Sequence, residues 1–253
     1  MTRANETIAL QLEHRTIREF TNEPVPKETM DKLLQIAQRT ATSNGMQSYS
    51  IIRVTDPQLK EAIARVGNQA YIAREPELLI FIVDSYRNGR IALEKGYKGE
   101  AHRDMDRFFQ GWTDACLAAQ NVVLAAESLG LGANYLGCIL NDTAKMIELM
   151  KLPELTFPVV GVGLGYPNQT PQLKPRMDMS LRVFENSYSM IDDYLTAISE
   201  YDQEMQTYYD LRNANKRVDS FSDQVVSKLV NVIPGRQDIL NVIKSQGFDL
   251  MIK

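Results

Sequence analysis

The hydrophobic residues of this chain follow two patterns, helical spacing and short continuous runs. Between Pro26 and Arg39 they recur at intervals of three and four residues, which predicts an amphipathic helix with one buried face. Ser50–Val54 is rich in β-branched residues and predicts a strand. Leu78–Val83 is apolar at consecutive positions, so we expect a central strand that is covered on both faces.

Helical patterns also dominate the middle and the end of the chain. Arg107–Leu131 predicts one long helix, and its many small residues favour close packing against a neighbouring element. We expect Gly130 and Gly132 to end it. The residues expected along its inner side are Trp112, Cys116, Ala119, Val123, Ala126 and Leu129. Residues Ile191–Lys253 contain three further apolar stripes, which predict a mostly helical segment.

The run Pro158–Pro167 contains three alternating glycines and superficially resembles a dinucleotide-binding turn. Such a turn needs its glycines between a strand and the start of a helix, whereas these lie within a strand that a proline follows. We therefore reject that interpretation. The glycines instead predict a place where another backbone or a ligand approaches closely.

Composition narrows the classes of function. With 253 residues the chain can form one large domain or two small ones. Its formal net charge is -4, and it has no basic stripe with interleaved aromatic residues, so we expect no nucleic-acid partner. No apolar stretch predicts a secretion signal or a membrane span, and we expect a cytoplasmic protein.

Cysteine and histidine are scarce. Cys116 and Cys138 are too few for a disulfide framework and are not spaced as zinc ligands, which favours a reducing compartment. The two histidines, His14 and His102, have no partners at metal-ligand spacing, so we expect no metal site. We also expect no hydrolytic triad, since histidines are few and no Gly-x-Ser-x-Gly motif is present.

Two basic clusters, His14–Arg18 and Lys174–Arg176, are typical of the two halves of a phosphate clamp. Guanidinium groups match phosphate oxygens bidentately, and Arg15 and Arg18 could share a face if they lie at a helix end. A short basic run is also typical of a solvated surface, and that alternative stays open for each cluster alone.

Four segments in order resemble the FMN-dependent nitroreductases, in particular the larger NADPH-preferring flavin and nitro reductases. They are His14–Arg18, Gln47–Ile52, Gly130–Gly137 and Leu173–Arg176. The resemblance covers nearly the whole chain. It implies a single α+β domain over residues 1–253, with a central, mostly antiparallel sheet flanked by helices. It also implies a mostly helical C-terminal extension over residues 190–253 and an intertwined homodimer with FMN in the interface.

The resemblance also implies the binding residues. The residues implied to bind the FMN phosphate and ribityl chain are His14, Arg15, Thr16, Arg18, Lys174 and Arg176. The second subunit is implied to contribute the residues that contact the polar edge of the flavin ring, namely Thr42, Ser43 and Gln47. Further residues that reach or line the ring are Gln69, Tyr71, Leu136, Gly137 and Cys138. Arg212 and Arg217 are implied to bind the 2'-phosphate of NADPH, and Arg236 is implied to assist them.

The implied activity is a ping-pong reduction in which NADPH reduces FMN and an acceptor then reoxidises it. Nitroaromatics, quinones and free flavins are the expected acceptors, and no catalytic side chain is needed because the cofactor carries the chemistry. Two alternatives stay open: a dedicated flavin reductase that releases free reduced flavin, and a non-catalytic module that binds a phosphorylated ligand. Departures from the family pattern lie at Gly137-Cys138, where we interpret Cys138 as a small apolar filler, and at Asn44-Gly45.

Overall fold

The fold is taken from a computed structural model that describes residues 5–208 and 218–251. Its chain divides into two compact units. The first comprises residues up to Leu12, Thr16–Gln169 and the segment from Ile233 onward. The second comprises Glu13–Arg15 and Thr170–Val232.

A four-stranded antiparallel sheet forms the centre of the first unit. Its strands are β1 (Tyr49–Val54), β2 (Glu77–Asp84), β3 (Gly132–Leu136) and β4 (Thr156–Gly165), arranged in the order β1-β2-β4-β3. β1 and β3 are therefore the two edges. Every residue of β2 is buried, as expected for a central strand with both faces covered.

Helices cover both faces of this sheet. α1 (Glu6–Leu12), α2 (Lys27–Gln38) and α5 (Met105–Ser128) lie on the first face, where α5 packs against α2 and against β2 and β4. The second face is covered by α3 (Pro57–Gly67), α6 (Thr143–Met150) and a 3₁₀ segment, Gly137–Asp142.

Alternation along the strands explains the two layers. In β2, Leu79 and Phe81 belong to the core beneath α5, whereas Leu78 and Ile80 belong to the core beneath α3. Side chains of a strand point alternately to opposite faces, so one continuous apolar run supplies both cores.

Three more helices complete the first unit: α4 (Ser85–Glu94), α10 (Pro234–Gln237) and α11 (Ile239–Ser245). The second unit contains α7 (Tyr194–Ala197), α8 (Ser199–Thr207) and α9 (Phe221–Val230). α8 and α9 are joined by ring packing of Tyr201 on Phe221, with centroids 5.3 Å apart. Asp202 also accepts a hydrogen bond of 2.9 Å from the backbone N–H of Ser222.

The α+β class with an antiparallel sheet is confirmed, and most predicted elements are present with shifted ends. The predicted inner side of α5 is partly confirmed, since Ala119, Val123 and Ala126 are buried. Cys116 and Leu129 are exposed instead, because the buried face is shifted towards Phe108 and Ala115. Strand β3 and helices α4 and α6 were not predicted. The single-domain prediction for residues 1–253 stays a prediction, and the segment 190–253 contributes to both units.

The alternating glycines of β4 lie on the sheet face opposite α5 and receive side chains of the same subunit. A β-carbon on Gly161 would lie 3.0 Å from Cβ of Leu136, and one on Gly163 would overlap the carboxyl group of Glu75. The close approach is confirmed, but side chains make it rather than the backbone or ligand that we expected, and one of them is the buried Glu75.

Candidate active site

The segment Thr16–Arg18 runs beside the edge strand β3. Thr16 forms an isolated parallel bridge with Ala133, and the backbone N–H of Ile17 donates to the Ala133 carbonyl at 2.9 Å. Helix α1 ends at Leu12, so Arg15 and Arg18 do not share the face of a helix end as the spacing had suggested. An extended backbone beside β3 positions Arg18 instead.

Arg18 lies close to the loop that leads into β2. Its positive charge lowers the pKa of the Tyr71 hydroxyl, although burial dominates and raises that pKa. Gln69 starts this turn: its backbone N–H donates to the Ala64 carbonyl at 3.1 Å. The preceding Asn68 has a left-handed φ of 50°, which ends α3 and turns the chain towards Tyr71.

The turn after β3 carries Gly137 and Cys138. Gly137 has open space where a side chain would begin. Cys138 packs against α3, since a β-carbon on Gly67 would lie 2.9 Å from its Sγ. Burial raises the pKa of the Cys138 thiol, and the charges of Arg236 and Arg18 only partly oppose the rise. The thiol is thus predominantly neutral near pH 7, which supports its interpretation as a packing residue.

Arg236 fixes this same turn. Its Nε donates to Asn141 Oδ1 at 3.0 Å, and its NH2 group donates to the Gly137 carbonyl. Pro234 at the first position of α10 starts the short helix that presents the guanidinium. Arg18 and Arg236 therefore both place positive charge near Cys138.

Thr42, Ser43 and Gln47 lie together in the loop before β1. The backbone N–H of Gln47 donates to Thr42 Oγ1 at 3.3 Å, and Gln47 itself has a left-handed φ of 51°. The carboxylate of Asp114 in α5 accepts from the backbone N–H groups of Ser43, at 2.8 Å, and Ser48, at 3.0 Å. These bonds hold the backbone of the loop in place and so determine the direction of its side chains.

These two groups of predicted flavin ligands do not meet within one subunit. Gln47 precedes edge strand β1, whereas Gly137 follows the opposite edge strand β3. Three strand spacings separate the edges, which corresponds to about 14 Å before any offset along the strands.

The remaining predicted phosphate ligands belong to the second unit. Arg15 pairs with Glu13, with 2.9 Å between its NH2 group and Glu13 Oε2. Arg176 donates to the carbonyls of Lys174 and Pro175 at 3.3 Å each, so its fork folds back on its own loop. His14 and Lys174 also have interactions within the chain. Arg212 and Arg217 lie outside the described residues.

Sequence reasoning missed two residues that order the loop before β1. Asp114 is fully buried in α5, and an acid among the small and apolar residues in the middle of that helix was the available signal. Arg87 of α4 donates to the backbone carbonyl of Gln47 and to Ser50 Oγ, the latter at 3.2 Å. No periodicity distinguishes Arg87 from a surface arginine, so its role could not be predicted from the pattern of residues.

Within residues 5–208 and 218–251, no three His, Cys, Asp or Glu side chains are grouped as metal ligands would be. Among the same residues, no helix combines the length and the apolar character needed to cross a bilayer.

The donor set determines the ligand chemistry that the first unit can accept. Arg18 and Arg236 supply positive charge, Tyr71 and Gln69 supply neutral hydrogen-bonding groups, and there is open space where a side chain of Gly137 would begin. Such a set suits a planar, polar molecule that carries negative charge. An antiparallel α+β fold with a site of this kind defines a binder of an anionic organic cofactor.

Comparison with known proteins identifies the family of this chain. Residues 12–166 match the model of the Nitroreductase family, and residues 174–251 match that of the Nitroreductase family, C-terminal domain. The chain therefore belongs to the nitroreductase family, which confirms the resemblance seen in the sequence.

Characterised relatives span the same length. The FMN reductase (NADPH) of Bacillus subtilis (strain 168) is 35% identical over 248 residues, covering 97% of this chain and 99% of the relative. The oxygen-insensitive NADPH nitroreductase of Salmonella typhimurium is 37% identical, covering 96% and 98%. The structure of NADPH:FMN oxidoreductase from Vibrio harveyi complexed with NAD+ superimposes with a TM-score of 0.84 at 34% identity, covering 96% of this chain and 99% of that one.

Proposed function

We propose that this protein is an NADPH-dependent oxidoreductase that binds FMN and reduces nitroaromatics, quinones or flavins. The observation that carries the proposal is the placement of Arg18 and Arg236 near the Gly137-Cys138 turn, in a chain that belongs to the nitroreductase family. The names of full-length relatives support both FMN and NADPH.

The chain's own residues would bind and orient the cofactor. Arg18 offers charge-assisted hydrogen bonds to an anionic group, and the open space beside Gly137 lets a flat ring approach the backbone. When bound, FMN supplies two-electron transfer between NADPH and an acceptor. No side-chain acid or base is assigned, because the residues described around Gly137 act by binding and orientation.

A homodimer is the second part of the proposal. It is supported by the separation of Gln47 from Gly137 in one subunit, since a second copy can bring its own Gln47 to the flavin. Exposed apolar side chains on α5 also support it: Phe109 is 60% exposed and Leu117 is 47% exposed, and burying them would be favourable. A cytoplasmic location remains the expectation from composition.

Mixed dimers test the shared site. We expect the R18A and Q47A variants each to lose FMN binding when pure. Coexpressed as a heterodimer, the two chains should form one intact site and one doubly altered site, and so recover about half of the wild-type flavin content. A heterodimer that binds no flavin would contradict a site built from both subunits.

Anaerobic visible spectroscopy tests the activity. The purified protein should be yellow, bleach with one equivalent of NADPH, and recover with one equivalent of a nitroaromatic, a quinone or free FMN. A preparation that stays colourless after FMN is added would overturn the proposal. Recovery with free FMN alone would favour the dedicated flavin reductase.

The predicted NADPH ligands require a separate kinetic test. We expect Arg212→Ala to raise KM for NADPH about tenfold, which corresponds to a loss of about 1.4 kcal/mol in binding free energy. The FMN content should stay unchanged. The matched control is Arg182→Ala, because Arg182 is exposed and is not among the predicted NADPH ligands. Unchanged NADPH kinetics in R212A would remove Arg212 from the proposed site.

A further inference from the structure

A buried carboxyl group lies behind the segment that carries Arg18. Glu75 is 2% exposed and Asn134 of β3 is 1% exposed. Asn134 Nδ2 donates at 2.9 Å to Glu75 Oε1 and at 2.7 Å to the backbone carbonyl of Ile17. One amide group therefore connects the acid to the residue that precedes Arg18.

Each of the two facing groups has one unsatisfied atom. Within the part of the chain that the structure describes, Glu75 Oε2 and Asn134 Oδ1 are buried without a hydrogen-bond partner. Two acceptors cannot satisfy each other, and a buried polar atom without a partner is costly. If the carboxyl group carries a proton, Oε2 becomes a hydrogen-bond donor. It can then donate to Asn134 Oδ1, the acceptor that otherwise has no partner.

Close packing denies the carboxylate other ways to be stabilised. The carboxyl group packs against Gly163, where a side chain would overlap it. Lys60 of α3 does not make an ion pair with it, since Lys60 Nζ donates at 2.6 Å to the Glu75 backbone carbonyl and at 3.0 Å to that of Pro76.

We propose that Glu75 is held as a neutral carboxylic acid, paired in a ring of two hydrogen bonds with Asn134, and that this pair positions Ile17 and Arg18 for the anionic cofactor. Glu75 is thus a positioning residue, because it acts through Asn134 rather than on the ligand. The positioning step rests on the proposed function, whereas the protonated pair does not.

The electrostatic surroundings agree with this geometry. Burial raises the pKa of the Glu75 carboxyl from 4.5 to about 8, and the hydrogen bond from Asn134 and the charge of Lys60 oppose the rise only partly. Glu19 raises the same pKa and Arg18 lowers it. Tyr71 also lies within electrostatic reach, with its hydroxyl pKa itself raised by burial.

Infrared difference spectroscopy of the full-length protein tests the protonated pair. Wild type should show the carbonyl stretch of a protonated carboxylic acid at neutral pH, and this band should fade as the pH rises through about 8. Glu75→Gln should remove the band. A spectrum at neutral pH that is identical in E75Q and wild type would show that Glu75 is ionised and would overturn the proposal.

The neighbouring Glu77→Gln provides a matched control. Glu77 is also buried, but its two oxygens accept hydrogen bonds of 2.6 and 2.7 Å from Arg53. We expect E77Q to keep the carboxylic-acid band, since the ionised pair with Arg53 is not its source. Loss of the band in E77Q would mean that Glu77, and not Glu75, carries the proton, and would contradict the proposal.

The positioning step is read from FMN affinity, measured by quenching of flavin fluorescence. Glu75→Gln retains a donor for Asn134 Oδ1, so its dissociation constant should stay within about twofold of wild type. Glu75→Ala removes that donor and should weaken FMN binding about tenfold. Equal affinity in E75A and wild type would overturn the positioning role. Absence of FMN binding in wild type would instead overturn the proposed function, and the infrared band would still decide the pair.

Discussion

Asp114, fully buried in helix α5, accepts a hydrogen bond of 2.8 Å from the backbone N–H of Ser43, 71 residues earlier in the chain. Its other carboxylate oxygen accepts from Ser48. One side chain thus ties both ends of the loop that carries Ser43 and Gln47 to the long central helix. Because loop residues gain fixed positions only through such contacts, Asp114 controls half of the predicted flavin site from the core.

Replacing this acid should affect stability and cofactor binding together. Asp114→Asn retains the shape but turns an NH2 group towards one of the two backbone donors. A buried donor left unpaired costs about 1–3 kcal/mol, so we expect a comparable loss in the free energy of unfolding. FMN affinity should fall as well. Urea titration and flavin fluorescence measure the two effects.

The control for this variant lies on the same helix. Asp106 is exposed, so Asp106→Asn should change the unfolding free energy by no more than about 0.5 kcal/mol. If D114N were as stable as D106N and bound FMN as tightly as wild type, the loop would not depend on its contacts with α5.

Arg236 should influence FMN as well as NADPH. Its guanidinium donates to the Gly137 carbonyl and to Asn141, so it is already engaged in ordering the turn after β3. We expect Arg236→Ala to raise both the FMN dissociation constant and KM for NADPH. Arg236→Lys should not restore them fully, since one ammonium group cannot reproduce a planar fork.

The competing outcome separates the two roles of Arg236. Equilibrium flavin titration and steady-state kinetics are run on the same preparations. A variant with normal FMN affinity and a raised KM for NADPH would mean that Arg236 serves only the nucleotide, as the sequence resemblance suggested.

Gly163 and Glu75 should be energetically coupled. A β-carbon at position 163 would overlap the Glu75 carboxyl group, so Gly163→Ala should destabilise the protein by about 1–3 kcal/mol. Removing the carboxyl group in E75A makes room for that methyl group. The double variant should therefore be more stable than the sum of the two single changes predicts.

A double-mutant cycle from urea unfolding measures this coupling. Gly96→Ala serves as a comparison, because its β-carbon would meet open space although its φ of 90° makes the substitution strained. Strictly additive free energies for G163A and E75A would show that the two residues do not compete for the same volume.

Stability should depend on pH through Glu75. Because burial raises its carboxyl pKa from 4.5 to about 8, the folded state keeps its proton while the unfolded state releases it. The stabilisation is complete below about pH 4.5 and is lost as the pH rises through about 8. Wild type should therefore lose stability relative to E75Q across this interval and no further above it.

Thermal unfolding of both proteins from about pH 5 to about pH 9 provides the measurement. The difference in Tm between E75Q and wild type should grow with pH and then level off. A constant difference would mean that Glu75 has the same protonation state in the folded and unfolded chains.

The fold class and the residues that carry the family resemblance could be predicted from the order of amino acids alone. Strand β2 was predictable because its apolar run is continuous, and a strand covered on both faces has no polar positions to interrupt the pattern. The segments around Arg18 and Gly137 were predictable because binding a phosphate and a flat ring restricts the residue types that can serve.

Which of these residues come together depends on the folded chain and could not be predicted from local patterns. The fold placed Gln47 and Gly137 at opposite edges of the sheet, and strand order is not written in local periodicity. It also brought Asp114 to Ser43, Arg236 to Gly137, and Glu75 to Asn134. Each pair is at least 59 residues apart in the chain. Propensity and spacing report contacts within a turn of helix or a strand, whereas these depend on how the sheet and its helices pack.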